Sequence, residues 1–314
     1  MSSARRCASA LLVAALIFLC APLSHPALAQ DIEVQHVQGK TQVQLNPKTV
    51  IVFDLASLDT LDALGVEVAG VPGGIMPDYL SKYGADGVAK VGSLFEPDFE
   101  AVAALSPDLI IVSGRSAPKY DALSKIAPTI DLSVDGARYL ENAQQNVRTL
   151  GRIFGKEEQA EQALARLDAS TAALKNKLSH AGSGLLILTT GGKMSVYGPG
   201  SRFGLLFTDL GLRSTDENIK VGLHGQPASF EYILEQNPDW LFVIDRDAAI
   251  GQKARPSQQL LDNEIVGRTN AWRKGQVVYL DPMNWYLVGG GLTSLQQTVD
   301  QVSQALDGSG TKAR

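Results

Sequence analysis

Residues 99–115 read FEAVAALSPDLIIVSGR, and residues 230–246 read FEYILEQNPDWLFVIDR. Each stretch opens on Phe-Glu, continues as a helical segment, reaches a Pro-Asp pair and enters an apolar run. In both, Pro follows Glu by seven positions and Arg follows Pro by eight. Proline cannot continue a helix, so each segment must stop there. The runs LIIV and LFVI that follow are unbroken and rich in β-branched residues, the pattern of strands buried on both faces of a parallel sheet. A Pro-Asp pair is a common way to end a helix before a strand in any α/β protein. The matching arginines, Arg115 and Arg246, are not explained that way. Two lobes on one plan account for the repeat.

Reading outward, TVIVFDL (49–55) is a buried strand ending near Asp54, and ASLDTLDALG (56–65) is a short helix stopped by Gly65. VEVAGVPGG (66–74) supplies the next strand. Residues 31–46 alternate polar and apolar, as an exposed edge strand or hairpin does. From Tyr139 to Phe154, Leu140, Ala143, Val147, Leu150 and Phe154 recur at helical spacing. A second helix is expected from about Lys156 to Ala181, with Ala160, Ala163, Leu164, Leu167, Thr171, Leu174 and Leu178 as its apolar stripe and Gly182 as its stop. Strand–helix alternation resumes with GLLILTT (184–190). The expected organisation is a signal peptide (1–29), an edge segment (30–46), an N-terminal lobe (47–138), a helical region with a bridging helix (139–181), a C-terminal lobe (182–308) and a tail (309–314).

The chain of 314 residues is 45% hydrophobic and 19% charged, an ordinary globular balance that excludes low-complexity and disordered readings. Its net charge of −5 argues against a nucleic-acid binder with a basic face. Both cysteines, Cys7 and Cys20, fall within an N-terminal export signal: Arg5-Arg6, an apolar core, then Ala27-Leu28-Ala29. Cleavage near Ala29 would leave an exported chain with no disulfide, standing on its core alone. An uncleaved anchor is the plainer alternative. Lipidation at Cys20 is a third, disfavoured by the bulky Leu19 before it.

Ligands of open α/β sheets bind beyond the carboxyl ends of the strands. Arg115 and Arg246 follow such ends, one per lobe, and Arg202 lies in the Gly/Pro loop VYGPGSRFG. Three arginines converging on one cleft call for an anionic ligand, whereas each alone would read as a surface charge or ion pair. His224, in the loop KVGLHGQPAS, and Tyr286, in YLDPMNWYLVGGG, a strand end followed by three glycines, can both ligate ferric iron. Singly, a loop histidine and a tyrosine beside Trp285 are more often structural, and 62 positions of separation cannot pair them. Gly191-Gly192-Lys193 lacks the rest of a phosphate loop, and Gly289–Gly291 lacks the dinucleotide fingerprint. No zinc-protease or hydrolase motif occurs, so no catalytic residue is assigned.

These segments are familiar together. From about Thr49 to Leu306 the chain resembles the periplasmic ferric-siderophore-binding proteins of iron ABC importers, in the branch that takes catecholate complexes such as petrobactin and enterobactin fragments. SGR at Arg115, GPGSRFG at Arg202, DENIKVGLHG at His224, VIDR at Arg246 and YLDPMNWYL at Tyr286 carry the resemblance. It implies a class III binding-protein fold, α/β with two Rossmann-like lobes bridged by a single long α-helix, a shallow cleft and little hinge motion. It implies that Arg115, Arg202 and Arg246 line the cleft, and that His224 and Tyr286 complete the iron shell of tetradentate complexes. Leu223 and Met283-Asn284 depart from the branch's pattern and bear on which ligand backbone fits. The resemblance further implies a monomer in the periplasm, with no enzyme activity, intrinsic cofactor or nucleic-acid partner. Its ligand would be an Fe(III)–siderophore complex. It would dock on an inner-membrane permease and its ATPase through Glu100 and Glu231, which the helix dipole alone could equally favour. The rivals are a haem- or corrinoid-binding protein of the same fold, an exported siderophore-processing enzyme, or a purely structural surface protein.

Overall fold

A computed structural model describes residues 31–85 and 87–309. The expected signal peptide (1–29) and all but the first residue of the expected tail lie outside them. β1 (Asp31–His36) and β2 (Gly39–Gln44) form an antiparallel hairpin of their own. Its alternation buries Val34 and Val43, and its tip joins the first lobe through Val37 N–H donating to the Asp131 carbonyl at 3.2 Å.

β3 (Val50–Val52), β4 (Gly70–Val71), β5 (Ala89–Lys90), β6 (Leu109–Val112) and β7 (Thr129–Asp131) make an all-parallel sheet in the order β5-β4-β3-β6-β7. The second sheet takes β8 (Ser183–Thr190), β9 (Lys193–Tyr197), β10 (Arg213–Ser214), β11 (Gln226–Ala228), β12 (Trp240–Asp245) and β13 (Val277–Tyr279). Its order is β11-β9-β8-β12-β13, with β10 paired to the start of β8. This second sheet is mixed rather than parallel throughout. β8 turns into β9 through the tight pair Gly191-Gly192, so the segment that superficially suggested a phosphate loop is a hairpin turn.

The unbroken apolar runs now have their cause. Along β6, Leu109 and Ile111 face a central core while Ile110 and Val112 face an outer one; along β12, Phe242 and Ile244 divide from Leu241 and Val243 in the same way. The central core is continuous across both lobes. The Glu157–Leu178 helix, about 33 Å long at 1.5 Å per residue, threads it with Ala160, Leu164, Leu167, Leu174 and Leu178.

The sequence repeat is repeated in space down to its caps. Asp98 and Ser229 cap the Phe99–Ala104 and Phe230–Gln236 helices. Each helix then leads to a residue of positive φ immediately before proline, Ser106 at 48° and Asn237 at 41°. The aspartate after each proline ties down the start of the neighbouring strand: Asp108 accepts from Lys48 N–H and Thr49 N–H at 2.8 Å, and Asp239 from Ser183 N–H at 3.0 Å. The Pro-Asp pairs are thus structural.

The bridging helix is not the only tie between the lobes. The C-terminal Leu292–Gln304 helix packs on it and on the Leu55–Ala63 helix of the first lobe. Fully buried Asp59 of the latter accepts from Thr293 N–H and Ser294 N–H at 2.8 Å and from the Tyr79 hydroxyl at 3.0 Å. It thereby caps a helix whose bonded N–H groups lie 234 and 235 positions away in the chain. Gly291 packs so closely against this carboxylate that a Cβ there would lie 2.5 Å from its oxygen.

Candidate functional site

A cavity of about 640 Å³ opens between the two sheets, at the carboxyl ends of β6 and β12. That volume suits a small-molecule ligand. Arg115, Arg202, Arg246, His224 and Tyr286 all line it. Arg115 enters from the loop after β6. Arg246 begins the short Arg246–Ala249 helix after β12, which Asp245 caps. Arg202 comes from the loop after β9, and His224 stands exposed in the loop before β11.

Tyr286 lies off the end of β13, on a single π-helical turn, Met283–Leu287. The sequence suggested a strand end. An irregular turn of this kind sets one side chain inward that a regular helix would carry elsewhere. The tyrosine is the centre of the arginine cluster. The guanidinium carbons of Arg202, Arg115 and Arg246 lie 5.0, 5.3 and 5.5 Å from its ring centroid. Arg246 Nε donates to the phenol oxygen at 2.9 Å, and its Nη1 donates to Thr190 Oγ1 at 3.2 Å. Arg115 Nη2 instead donates to the Tyr286 backbone carbonyl at 2.6 Å. Arg202 lies over Phe203 as well, at 4.5 Å.

Burial alone would push the Tyr286 phenol up. The hydrogen bond from Arg246 and the charges of Arg246, Arg202 and Arg115 outweigh it, so its pKa lies below the ordinary phenol value. A depressed phenol is a better oxygen ligand for a hard cation. Burial, and next the charge of Arg202, lower the pKa of Arg115, a direct sign that the cations repel one another. Among the described residues no carboxylate comes within 4 Å of Arg115 or Arg202, and Arg246 has only Asp247 at 3.9 Å. The cluster is therefore under-neutralised and favours an anion. A unit negative charge ~5 Å from one guanidinium gains about 3 kcal/mol at an effective dielectric near 20, before desolvation.

Asp54, which sequence reasoning used only to end a strand, also lines the cavity. It caps the Leu55–Ala63 helix by accepting from Ser57 N–H at 2.8 Å and Ser57 Oγ–H at 2.7 Å. Burial raises its pKa against these bonds and the charge of Arg115. The Asp-x-x-Ser spacing after a strand was the available signal. The apolar wall, including Leu94, Phe95, Leu223 and Trp285, was not legible as a wall. Glu100 and Glu231 lie outside the cavity, exposed in the first turns of the two repeat helices. The backbone N–H of Glu231 and the Ser229 hydroxyl hold its carboxyl below the usual range.

A family model described as periplasmic binding protein matches residues 50–283. The chain belongs to the periplasmic binding proteins. It is 46% identical over 310 residues to the petrobactin-binding protein YclQ of Bacillus subtilis, covering 95% of this chain and 97% of that protein. The crystal structure of YclQ superposes with a TM-score of 0.85 over 88% of this chain and 99% of that one. The ferric-anguibactin-binding protein FatB of Vibrio anguillarum is 32% identical over 281 residues, 88% of this chain and 87% of FatB. The periplasmic catecholate-siderophore-binding protein VctP of Vibrio cholerae shares 35% identity and a TM-score of 0.84 over 87% of this chain and 99% of VctP. The two-lobed, helix-bridged architecture is that of this family, as the resemblance implied.

Proposed function

We propose that this periplasmic binding protein captures a ferric siderophore of the catecholate type and delivers it to an inner-membrane ABC permease with its ATPase. The observation that carries the reading is the cage of three guanidiniums within 5.5 Å of the Tyr286 ring, in one cavity with His224. Similarity to YclQ and VctP supports the ligand class. Two catecholates give ferric iron four oxygens and leave two positions of its six-fold shell. An imidazole and a depressed phenol are suitable donors for those positions, while the arginines offset the anionic charge of the chelate. The three arginines come from two loops and the start of a short helix on a doubly tied scaffold, so their positions are set before the ligand arrives, which limits the ordering cost of binding. Capture and release change only the coordination bonds to iron and leave the chelator's covalent bonds intact, so on this reading the protein acts as a carrier without catalytic turnover.

On this reading residues 1–29 direct export and are cleaved, and the mature chain works as a monomer in the periplasm. Glu100 and Glu231, at equivalent places on the two lobes, dock on the permease. The test is a tryptophan-fluorescence titration with ferric bis-catecholate, ferric tris-catecholate and haem. Saturable quenching by the ferric catecholates without a Soret shift for haem is expected. Binding of haem alone would overturn the reading.

A further inference from the structure

Two side chains on the cavity wall are out of place for a soluble surface. Phe95 from the first lobe is 57% exposed and Leu223 from the second is 69% exposed, and both line the cavity. Neither is a loose loop tip. Phe95 sits in a closed loop in which Ser93 N–H donates to the Glu96 carbonyl at 2.8 Å, and Ser93 Oγ accepts from Phe95 N–H at 3.3 Å and Glu96 N–H at 3.0 Å. Asp98 N–H closes its base on the Val91 carbonyl at 2.8 Å. The loop depends on Gly92, at φ 107°, where a Cβ would lie 2.4 Å from the Glu96 carbonyl oxygen. Leu223 is pinned in the same manner. Gly225 N–H bonds the Gly222 carbonyl at 3.2 Å, and at Gly225, φ 68°, a Cβ would lie 2.7 Å from the Val196 carbonyl oxygen. Each lobe thus spends a sterically obligatory glycine on holding a large apolar side chain in water at the cavity wall. Large apolar side chains held at the wall of a ligand cavity are placed to contact its occupant.

The arginine cluster is also less exposed than these two side chains. Arg115, Arg202, Arg246 and Tyr286 are each partly buried and cluster together, whereas Phe95 and Leu223 are exposed. A chelate seated with its anionic oxygens on the guanidiniums can extend its linker to the exposed wall that Phe95 and Leu223 form. From this arrangement we infer that Phe95 and Leu223 are specificity-determining residues, a two-sided apolar rim that selects ferric chelates whose metal-binding arms are joined by a hydrocarbon linker. The inference rests on the ferric-chelate reading above. It assigns the rim to the ligand rather than to the permease.

The experiment compares two synthetic ferric bis-catecholates with linkers of equal length, one a polymethylene chain and one a polyether, so that charge at the iron is the same. Quenching titrations use wild type, Phe95→Ala, Leu223→Ala, Phe95→Trp and Arg246→Ala, with folding confirmed by thermal melts. Phe95→Ala and Leu223→Ala should each weaken the polymethylene chelate about tenfold and the polyether chelate less than about threefold, as loss of apolar contact requires. Phe95→Trp should retain wild-type affinity, and Arg246→Ala should weaken both chelates alike. Equal losses for the two linkers, or no loss for either, would overturn the rim assignment while leaving the ferric-chelate reading intact. If wild type binds neither chelate, the ferric-chelate reading falls and the rim assignment with it.

Discussion

The two lobes agree on one side of their central strand and part company on the other. In both sheets the strand after the repeat helix, β6 or β12, pairs in parallel with the central strand, β3 or β8, and leads out to an arginine of the site. On the far side, the first lobe continues in parallel through β4 and β5, whereas the second turns back through β9 to β11. Arg115 and Arg246 come from the shared half. Arg202 and His224 come from the antiparallel half of the second lobe and have no counterpart in the first, whose β5 leads instead to the loop of Phe95. The duplicated plan supplies the charge, and the divergent halves supply the asymmetry that a particular ligand needs. Even the duplicated arginines are not equivalent. Arg246 holds the phenol of Tyr286 and Arg115 its backbone carbonyl.

The strongest challenge to this division is to remove both shared cations. Arg115→Ala with Arg246→Ala should cost about 100-fold or more in affinity for a ferric catecholate, and more for tris- than for bis-catecholates. Unchanged quenching affinity in the double variant would refute the cleft assignment. The two donor side chains, His224 of the divergent half and Tyr286 beyond β13, are tested together by His224→Ala combined with Tyr286→Phe. Affinity for a tetradentate complex should fall about tenfold or more and that for a hexadentate one hardly at all. An unchanged charge-transfer band would exclude direct coordination.

Stability separates the site from its scaffold. Asp59→Ala would leave two backbone N–H groups and the Tyr79 hydroxyl without their acceptor, at a cost on the order of 2–4 kcal/mol in denaturant melts. The smallest and most discriminating effect concerns the two arginines. Replacing Arg246 with Lys should raise the Tyr286 phenol pKa toward its ordinary value, whereas Arg115→Lys should raise it less, because Arg246 contributes both a hydrogen bond and the larger charge effect. Ultraviolet titration of the phenol checks this, and equal shifts would make the two arginines equivalent after all.

Much of this was written in local pattern. The helix-Pro-Asp-strand repeat, the apolar runs of β6 and β12, and the stripe of the Glu157–Leu178 helix need only near neighbours, and they were legible. Arg115 and Arg246 were legible too, because a strand end is where an open sheet binds ligands. Tyr286 was found by resemblance but misplaced, since nothing in MNWYL announces a π-helical turn. Asp59 was invisible: its partners are 234 and 235 positions distant, and an aspartate inside a helix reads as solvent-facing. The mixed second sheet was missed because a two-residue glycine turn between β8 and β9 was weighed only as a phosphate loop.

The sequence by itself therefore determined the elements, the duplication and the identity of the cations, since periodicity, proline and strand ends act over a few residues. Only the tertiary structure decided that the three cations surround one phenol, that Arg246 tunes it while Arg115 anchors its turn, and that an aspartate of the first lobe caps the last helix. Those properties depend on distances across the cleft. Such distances are set by a core continuous through both lobes, which no local window of sequence contains.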